Sequence, residues 1–315
     1  MSLRAGGLGT TGIEVTEVCF GTSPLASMAR LYGYDVDERR AIDTVLAVLD
    51  SPIRFIDTSN GYGENGTAER RIGAALREYS GLPDDVVLAT KVDPDPATGD
   101  FSGARVRASL YESLERLGVD RVPLLHLHDP ERISFEQGTA DDGPVAALVE
   151  LKNEGVVDRI GVAGGPVDLL GRYLDTGVFD VLLSHNRYTL LDRSAEALFH
   201  AAHERGIGVL NAAPFGGGML AKGPDVQRGY AYGERDDRVA AAAFAMQDAC
   251  LRHGVTLAAA ALQFSLRSPS VDSTVVGIST PERVAQTLEY AEMEIPAELW
   301  DELEALVPPS ELWLN

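Results

Sequence analysis

Cysteine is scarce in this sequence: its 315 residues include two, Cys19 and Cys250. Both sit in apolar surroundings (VCF and DACL), and neither their number nor their spacing suits a disulfide framework or a zinc site, so no metal is expected. Positive charge is also in short supply, with 27 basic against 48 acidic side chains and a formal net charge of −21. Such a field repels phosphate backbones and anionic membrane surfaces, so neither nucleic acid nor a membrane is an expected partner. No run approaches the ~18 consecutive apolar residues of a transmembrane helix, and the N-terminus lacks the basic-then-apolar pattern of a secretion signal. These absences together lead to the expectation of a reducing, cytoplasmic setting. What is present is 45% hydrophobic residues, enough for a large globular core. No proline-rich linker, charge block or abrupt change of composition divides the chain, and residues 1–315 read as one domain.

After a turn at Thr10-Thr11-Gly12, short apolar runs bounded by turn residues alternate with segments of helical periodicity. Strands are expected at residues 15–20, 54–57, 86–91, 121–128, 159–163, 178–184, 208–211 and 273–276. Helices are expected at 38–49, 69–79, 105–117, 145–154, 195–205 and 281–290. Asp37 and the Thr280-Pro281-Glu282 sequence are start signals, and Gly118, Gly155 and Gly206 are stop signals. Strands repeating at roughly 35 residues with helices between them imply parallel pairing, because parallel strands need a crossover connection. An α/β fold follows. The count of strands fits a closed (β/α)8 TIM barrel, with a doubly wound open sheet as the alternative. Two longer irregular stretches, 129–142 and the glycine-rich 213–236, would follow strands four and seven on the C-terminal face of a barrel, where active sites are built.

The ionisable residues at strand ends on that face are Asp57 after RFI, Lys91 after VVLAT, and His126 or His128 in LLHLHDP, with Tyr62 in the loop just past Asp57. They come from three successive strands, so a closing barrel can bring them to one cleft. A tyrosine is a poor acid or base at neutral pH, but a lysine cation beside it favours the phenolate and lowers its pKa. Asp57 would pair with Lys91 and keep it charged. A histidine donor aimed at a substrate oxygen would polarise a carbonyl. The set suits proton relay beside hydride transfer. The two histidines are two apart on a strand and point to the same face, so either could take that part, or pack, or bind a metal.

These motifs resemble the aldo-keto reductase family over nearly the whole chain. LGTTGIEVTEVCFGT resembles its N-terminal β-hairpin and first strand, and RFIDTSNGYGENGTAERRIGAAL its DTAxxYG segment and following ERxIGxAL helix. The five-residue step from Asp57 to Tyr62 and the 29-residue step from Tyr62 to Lys91 match as well. LGVDRVPLLHLHDP resembles the family's fourth strand, which assigns the catalytic histidine to His128 rather than His126. The resemblance implies a TIM barrel with an N-terminal β-hairpin that binds NAD(P) without a Rossmann fold. It makes Tyr62 the general acid/base, Asp57 and Lys91 its partners, and His128 the orienting donor.

Cofactor contacts implied in the same way are Gly21 and Thr22 at the first strand and Asn186 in SHNRYTLLD. NAAPFGGGML adds Ala213, Phe215, Gly216 and Gly218 at the pyrophosphate, and GISTPERVAQ adds Ser279, Thr280, Arg283 and Gln286 at the adenosine end. The chain departs from the family at Ala163-Gly164, where Ser-Asn is common, and at Gly277, where a lysine often meets the extra phosphate of NADPH. No aromatic in VLNAAPF stands for the family's usual nicotinamide-stacking residue.

Within the family, DTSNGYG, LHLHDP, NRYTLLD and NAAPFGGGML are most similar to the aldose, L-fucose, L-galactose and pyridoxal dehydrogenases. The implied substrate is a small aldehyde or a sugar oxidised at C1. Its choice is expected to lie with residues 129–142, 214–236 and the tail PPSELWLN, which could bring Trp313 over the pocket. Two alternatives are a non-catalytic NAD(P)-binding regulatory subunit, against which the intact Asp57, Tyr62, Lys91 and His128 set argues, and a lyase barrel forming a Schiff base on Lys91 with a phosphate loop at GVAGG. No exposed heptad or apolar strip sets an oligomeric state.

Overall fold

The computed structural model describes residues 3–233 and 236–314. Strands β1 (Ala5–Gly7) and β2 (Glu14–Thr16) form an antiparallel hairpin. Eight parallel strands follow: β3 (Val18–Gly21), β4 (Phe55–Asp57), β5 (Val87–Val92), β6 (Val122–His128), β7 (Val157–Gly164), β8 (Val181–His185), β9 (Gly208–Ala212) and β10 (Ser273–Gly277). Each pairs with its neighbour in sequence, and β10 pairs with β3 from Thr274 opposite Val18 to Gly277 opposite Gly21. That last pairing closes the barrel and removes the open-sheet alternative.

The strand expected at 15–20 is two strands. The backbone changes partner at Glu17, whose N–H donates to Arg4 in the hairpin while its carbonyl accepts from Thr274 in the barrel. The hairpin thereby plugs the N-terminal end of the barrel. Leu8 is fully buried there, and a Cβ on Gly208 would lie 2.6 Å from its Cγ, so the glycine is what lets the plug seat. With that end sealed, the open mouth is the C-terminal one.

The crossover helices Glu38–Leu49, Thr67–Tyr79, Gly103–Leu117, Pro144–Asn153, Glu196–Glu204 and Pro281–Glu292 lie where periodicity places them. Their caps are the expected ones: the Asp37 side chain accepts from the Arg40 N–H, Thr280 accepts from the Arg283 N–H, and Gly118 ends its helix in the left-handed region. Four more helices, Val167–Asp175, Asp237–Arg252, Leu257–Leu266 and Ala297–Ala305, escaped the sequence reading. Leu257–Leu266 shows why: LAAAALQFSL is buried nearly all round, so it has no polar face to mark a helical period.

Helices and strands enclose one apolar layer, and a second apolar group, including Cys19, Phe55, Leu124 and Val181, fills the barrel interior. Both thiols are buried, and burial pushes Cys250 up to about 11. No helix among the described residues is long and apolar enough to cross a membrane. The stretch 129–142 carries the short helices Pro130–Arg132 and Phe135–Gly138, and 213–236 carries Gly216–Gly218 and Met219–Lys222. The C-terminal tail corrects an expectation. Trp313 donates its indole N–H to the Pro308 carbonyl at 2.8 Å and is not part of the cleft wall, because the Leu314 N–H is held on the Asp192 carboxylate at 2.6 Å.

Candidate active site

The strands end in a cleft of about 370 Å³ whose wall includes Asp57, Tyr62, Lys91 and His128. Asp57 ends β4, Lys91 lies near the end of β5 and His128 ends β6, so parallel pairing sets the three side chains along one rim. Tyr62 arrives from the loop after β4. That loop is anchored by Asn60, which is buried and donates through Nδ2 to the Ser109 carbonyl at 3.0 Å and to Glu112 at 3.1 Å. Thr22 holds the other side of β4, with its N–H and its hydroxyl each donating to the Asp57 carbonyl at 3.0 Å.

Lys91 is 1% exposed and Asp57 2%. The Lys91 Nζ donates to Asp57 Oδ2 at 2.5 Å, to the Thr58 carbonyl at 2.7 Å and to the Tyr62 hydroxyl at 3.2 Å. All three of its donors are engaged in these contacts. The GVAGG turn of the lyase alternative is likewise filled: the Gly165 N–H donates to Glu131 at 3.2 Å, and a carboxylate in that place repels phosphate.

Tyr62 departs from expectation. The cleft walls desolvate its hydroxyl, and Asp57, Tyr32, Asp129 and Asp93 add repulsion, so its pKa is pushed well above the ordinary value rather than lowered by Lys91. Burial is the first cause and the Asp57 charge the second, and Asp57 is also the ion-pair partner of Lys91 at 2.5 Å. Tyr62 therefore stands in the site as a protonated donor.

Of the two histidines, His128 lines the cleft, while His126 is fully buried inside the barrel against Gly161. Burial, with Lys91 and His128 nearby, holds His126 well below its ordinary pKa, so it is a neutral core residue. His128 is different. Burial alone would lower it, but the Asp93 and Asp129 charges and a hydrogen bond to Asp93 raise it instead. Its Nδ1 lies 2.8 Å from Asp93 Oδ1 and 3.0 Å from the Ser59 hydroxyl. Asp129 sits beside it in a left-handed conformation, φ 42°, which costs strain for a non-glycine residue and sets its carboxylate 3.6 Å from His128 Nε2.

The expected cofactor residues divide into three groups. Gly21, Ala213, Phe215, Gly218 and Arg283 line the cleft. Thr22, Gly216 and Ser279 are buried behind its wall, and Thr280 is spent capping its helix. Gln286 is exposed on that helix, away from the wall. Asn186, 1% exposed and at φ 62°, places Nδ2 3.1 Å from His185 Nδ1 and leaves Oδ1 buried with no partner among the described residues. An unpaired buried carbonyl beside the cleft is the acceptor that a carboxamide N–H needs. Gly21 lines the cleft and must be glycine for packing against the neighbouring strand β10, since a Cβ there would meet Val275 at 2.9 Å. Of the departures, Ala163, Gly164 and Gly277 all line the cleft.

Lys222 was missed by sequence reading. It joins Arg283 in the cleft wall, on the side where β9 and β10 end and across the barrel from Lys91, and burial with the Arg283 charge lowers its pKa. Two cations at one end of a cleft, in a chain of net charge −21, fit a ligand with phosphates. With the unpaired Asn186 carbonyl beside the cleft-lining His185, the residues present fit a nicotinamide dinucleotide. The segment carrying Met28, Leu31, Tyr32 and Tyr34 was also missed; it lines the cleft, with the Tyr32 hydroxyl donating to Ser23 at 2.7 Å. Lys222→Ala is expected to weaken NAD(P) binding roughly five- to tenfold at low salt and less at high salt, read by fluorescence titration.

Comparison with known proteins agrees with the geometry. The aldo/keto reductase family model matches residues 17–308, and the chain belongs to that family. It is 34% identical to a D-threo-aldose 1-dehydrogenase of a Pseudomonas species, over 93% of this chain and 94% of the relative. It is 35% identical to the L-galactose dehydrogenase of Arabidopsis thaliana, over 98% and 95%, and 30% identical to the pyridoxal 4-dehydrogenase of Microbacterium luteolum, over 94% and 95%. Among solved structures, an aldo-keto reductase from Bacillus halodurans in its holo form superposes with a TM-score of 0.80 at 26% identity, covering 97% of both chains. The protein is thus an NAD(P)-dependent oxidoreductase of alcohols and carbonyls.

Proposed function

We propose that this protein is an aldose 1-dehydrogenase that oxidises the C1 hydroxyl of a cyclic sugar to the lactone, with Tyr62 as general acid/base and Asp57, Lys91 and His128 as its partners. The observation that carries the reading is full-length similarity to two sugar dehydrogenases together with a polar substrate rim. Beside His128, the cleft wall carries Asp129, Arg132 and His185. His185 is held down to about 4 by burial, so at neutral pH it offers a neutral imidazole, while Asp129 offers a carboxylate and Arg132 a cation. Such a mixed set suits the several hydroxyls of a sugar better than a simple aliphatic aldehyde.

The bound nicotinamide would take the hydride from C1. The chain's own part is to hold the substrate oxygen between the Tyr62 hydroxyl and His128 Nε2, and to move the proton. In oxidation the C1 hydroxyl proton must leave through this pair; in reduction the protonated Tyr62 already present returns one, as microscopic reversibility requires. Gly277 leaves no side chain where a lysine would meet an extra phosphate, while Arg283 and Lys222 offer cations nearby, so both NAD and NADP are to be tried. Absorbance at 340 nm, followed with each cofactor against aldoses that include L-fucose and L-galactose, and against pyridoxal, tests the proposal. Faster turnover of an aldose than of pyridoxal or simple aldehydes supports it; turnover confined to the non-sugar substrates overturns it.

A further inference from the structure

We propose that Asp93 is a positioning residue that fixes the proton of His128 on Nδ1, so that Nε2 donates to the substrate oxygen only as the imidazolium and accepts when the ring is neutral. This rests on the oxidoreductase reading of the cleft and adds a residue outside the group of Asp57, Tyr62, Lys91 and His128. Asp93 lies just past β5 and is 2% exposed. Its Oδ1 is 2.8 Å from His128 Nδ1. Its Oδ2 accepts from the Gly61 N–H at 2.7 Å and from the Ser59 hydroxyl, and its own N–H donates to the Ser109 hydroxyl at 3.1 Å. The carboxylate is therefore held from three sides and has no freedom to turn away from the ring.

The donor logic follows from the inventory of each group. An ionised carboxylate only accepts, so the imidazole nitrogen facing it must carry hydrogen. His128, the Ser59 hydroxyl and Arg132 all favour the ionised form and together outweigh burial, keeping Asp93 well below the usual carboxylate range. A neutral imidazole has one hydrogen, and here Nδ1 holds it. Nε2, on the cleft side, is then a bare acceptor, and it becomes a donor only when a second proton arrives. The groups facing His128 from the surrounding elements are Asp93 just past β5, Asp129, Glu131 and Arg132 from the turn after β6, Tyr62 from the β4 loop, Lys91 and His126 from the barrel, and His185 from β8. The negative charges adjacent to the ring, Asp93 and Asp129, dominate that balance and favour the cation. The consequence is a proton switch: the imidazolium polarises a carbonyl for reduction, and the neutral ring accepts from an alcohol for oxidation.

Asp93→Asn makes the idea testable because the neighbours dictate how the amide sits. Gly61 N–H and the Ser59 hydroxyl need an acceptor at the Oδ2 place, so the amide oxygen takes it and the amide nitrogen faces His128. Nδ1 must then be bare, and the neutral ring carries its proton on Nε2. The experiment is 15N-detected titration of His128, assigned by comparison with His128→Gln, on the full chain of wild type, Asp93→Asn and Ser59→Ala. Expected for wild type is a titration above the ordinary histidine value of 6.5 and an Nδ1–H neutral ring. Expected for Asp93→Asn is a titration about one pH unit lower or more and an Nε2–H neutral ring. In kinetics, carbonyl reduction by wild type should fall as pH rises through the His128 titration, and this alkaline limb should be lost in Asp93→Asn, with cofactor affinity unchanged. A wild-type His128 that is neutral on Nε2, or that titrates at or below the ordinary value, overturns the proposal without any reference to substrate; lack of turnover on sugars, with the titration as expected, counts against the aldose reading alone. If Asp93→Asn does not fold, wild type and Ser59→Ala still decide, since the Nδ1–H form is required of both.

Discussion

Tyr62→Phe is expected to lower turnover in both directions by on the order of 10²- to 10⁴-fold, the range set by removal of a positioned acid/base, with little change in thermal stability. The reason for the small structural effect is that the ring remains. Lys91 Nζ lies 4.8 Å from the Tyr62 ring centroid and keeps this contact with phenylalanine, while its bonds to Asp57 and to the Thr58 carbonyl are untouched. Steady-state assays at 340 nm, paired with a melting curve, check both halves. A loss below tenfold with binding intact would move the acid/base function away from Tyr62. The pH profile carries further information. Tyr62 keeps its proton well above its ordinary value, so the alkaline limb of reduction should follow His128, which titrates lower.

Lys91→Met is expected to reduce activity at least as severely and, unlike Tyr62→Phe, to destabilise the fold. Asp57 is 2% exposed and Lys91 is its ion-pair partner at 2.5 Å. Its Oδ1 already lacks a hydrogen-bond partner among the described residues, so removal of Lys91 leaves a buried carboxylate uncompensated. Loss of one partner from a buried pair costs about 3–5 kcal/mol. Denaturant melts of Lys91→Met, Asp57→Asn and the double variant make the test. The double variant should be more stable than the sum of the two single losses predicts, because it buries no orphan charge. Simple additivity would mean that the pair contributes packing rather than charge neutralisation.

The two predictions separate roles that the residues alone could not. From sequence, Lys91 was expected to lower the pKa of Tyr62. In the structure Lys91 is paired with Asp57 and gives Tyr62 a hydrogen bond at 3.2 Å, while burial and the Asp57 charge raise the phenol's pKa. The group is therefore poised around a neutral phenol and a cationic lysine held by a carboxylate, with His128 as the titrating member.

Sequence by itself determined the order of the eight barrel strands and of six crossover helices, and the positions of the four central residues. Both are local matters: a strand end shows as an apolar run meeting a turn, a crossover helix shows as a period with its cap, and the Asp57, Tyr62, Lys91 and His128 spacing survives without any contact being known. The hairpin and barrel strands at residues 15–20 merged because the break at Glu17 is a change of hydrogen-bond partner, which leaves no mark on polarity. Tertiary structure alone decided the rest. Strand alternation places His126 and His128 on one face, and only depth along the barrel axis separates a neutral core imidazole from a cleft residue. Asp93 meets His128 across 35 residues, and Lys222 meets Arg283 from a different loop, so neither pair has a signature at fixed spacing. Burial and the field of neighbouring charges, which exist only once the barrel has closed, set which of these groups hold their protons.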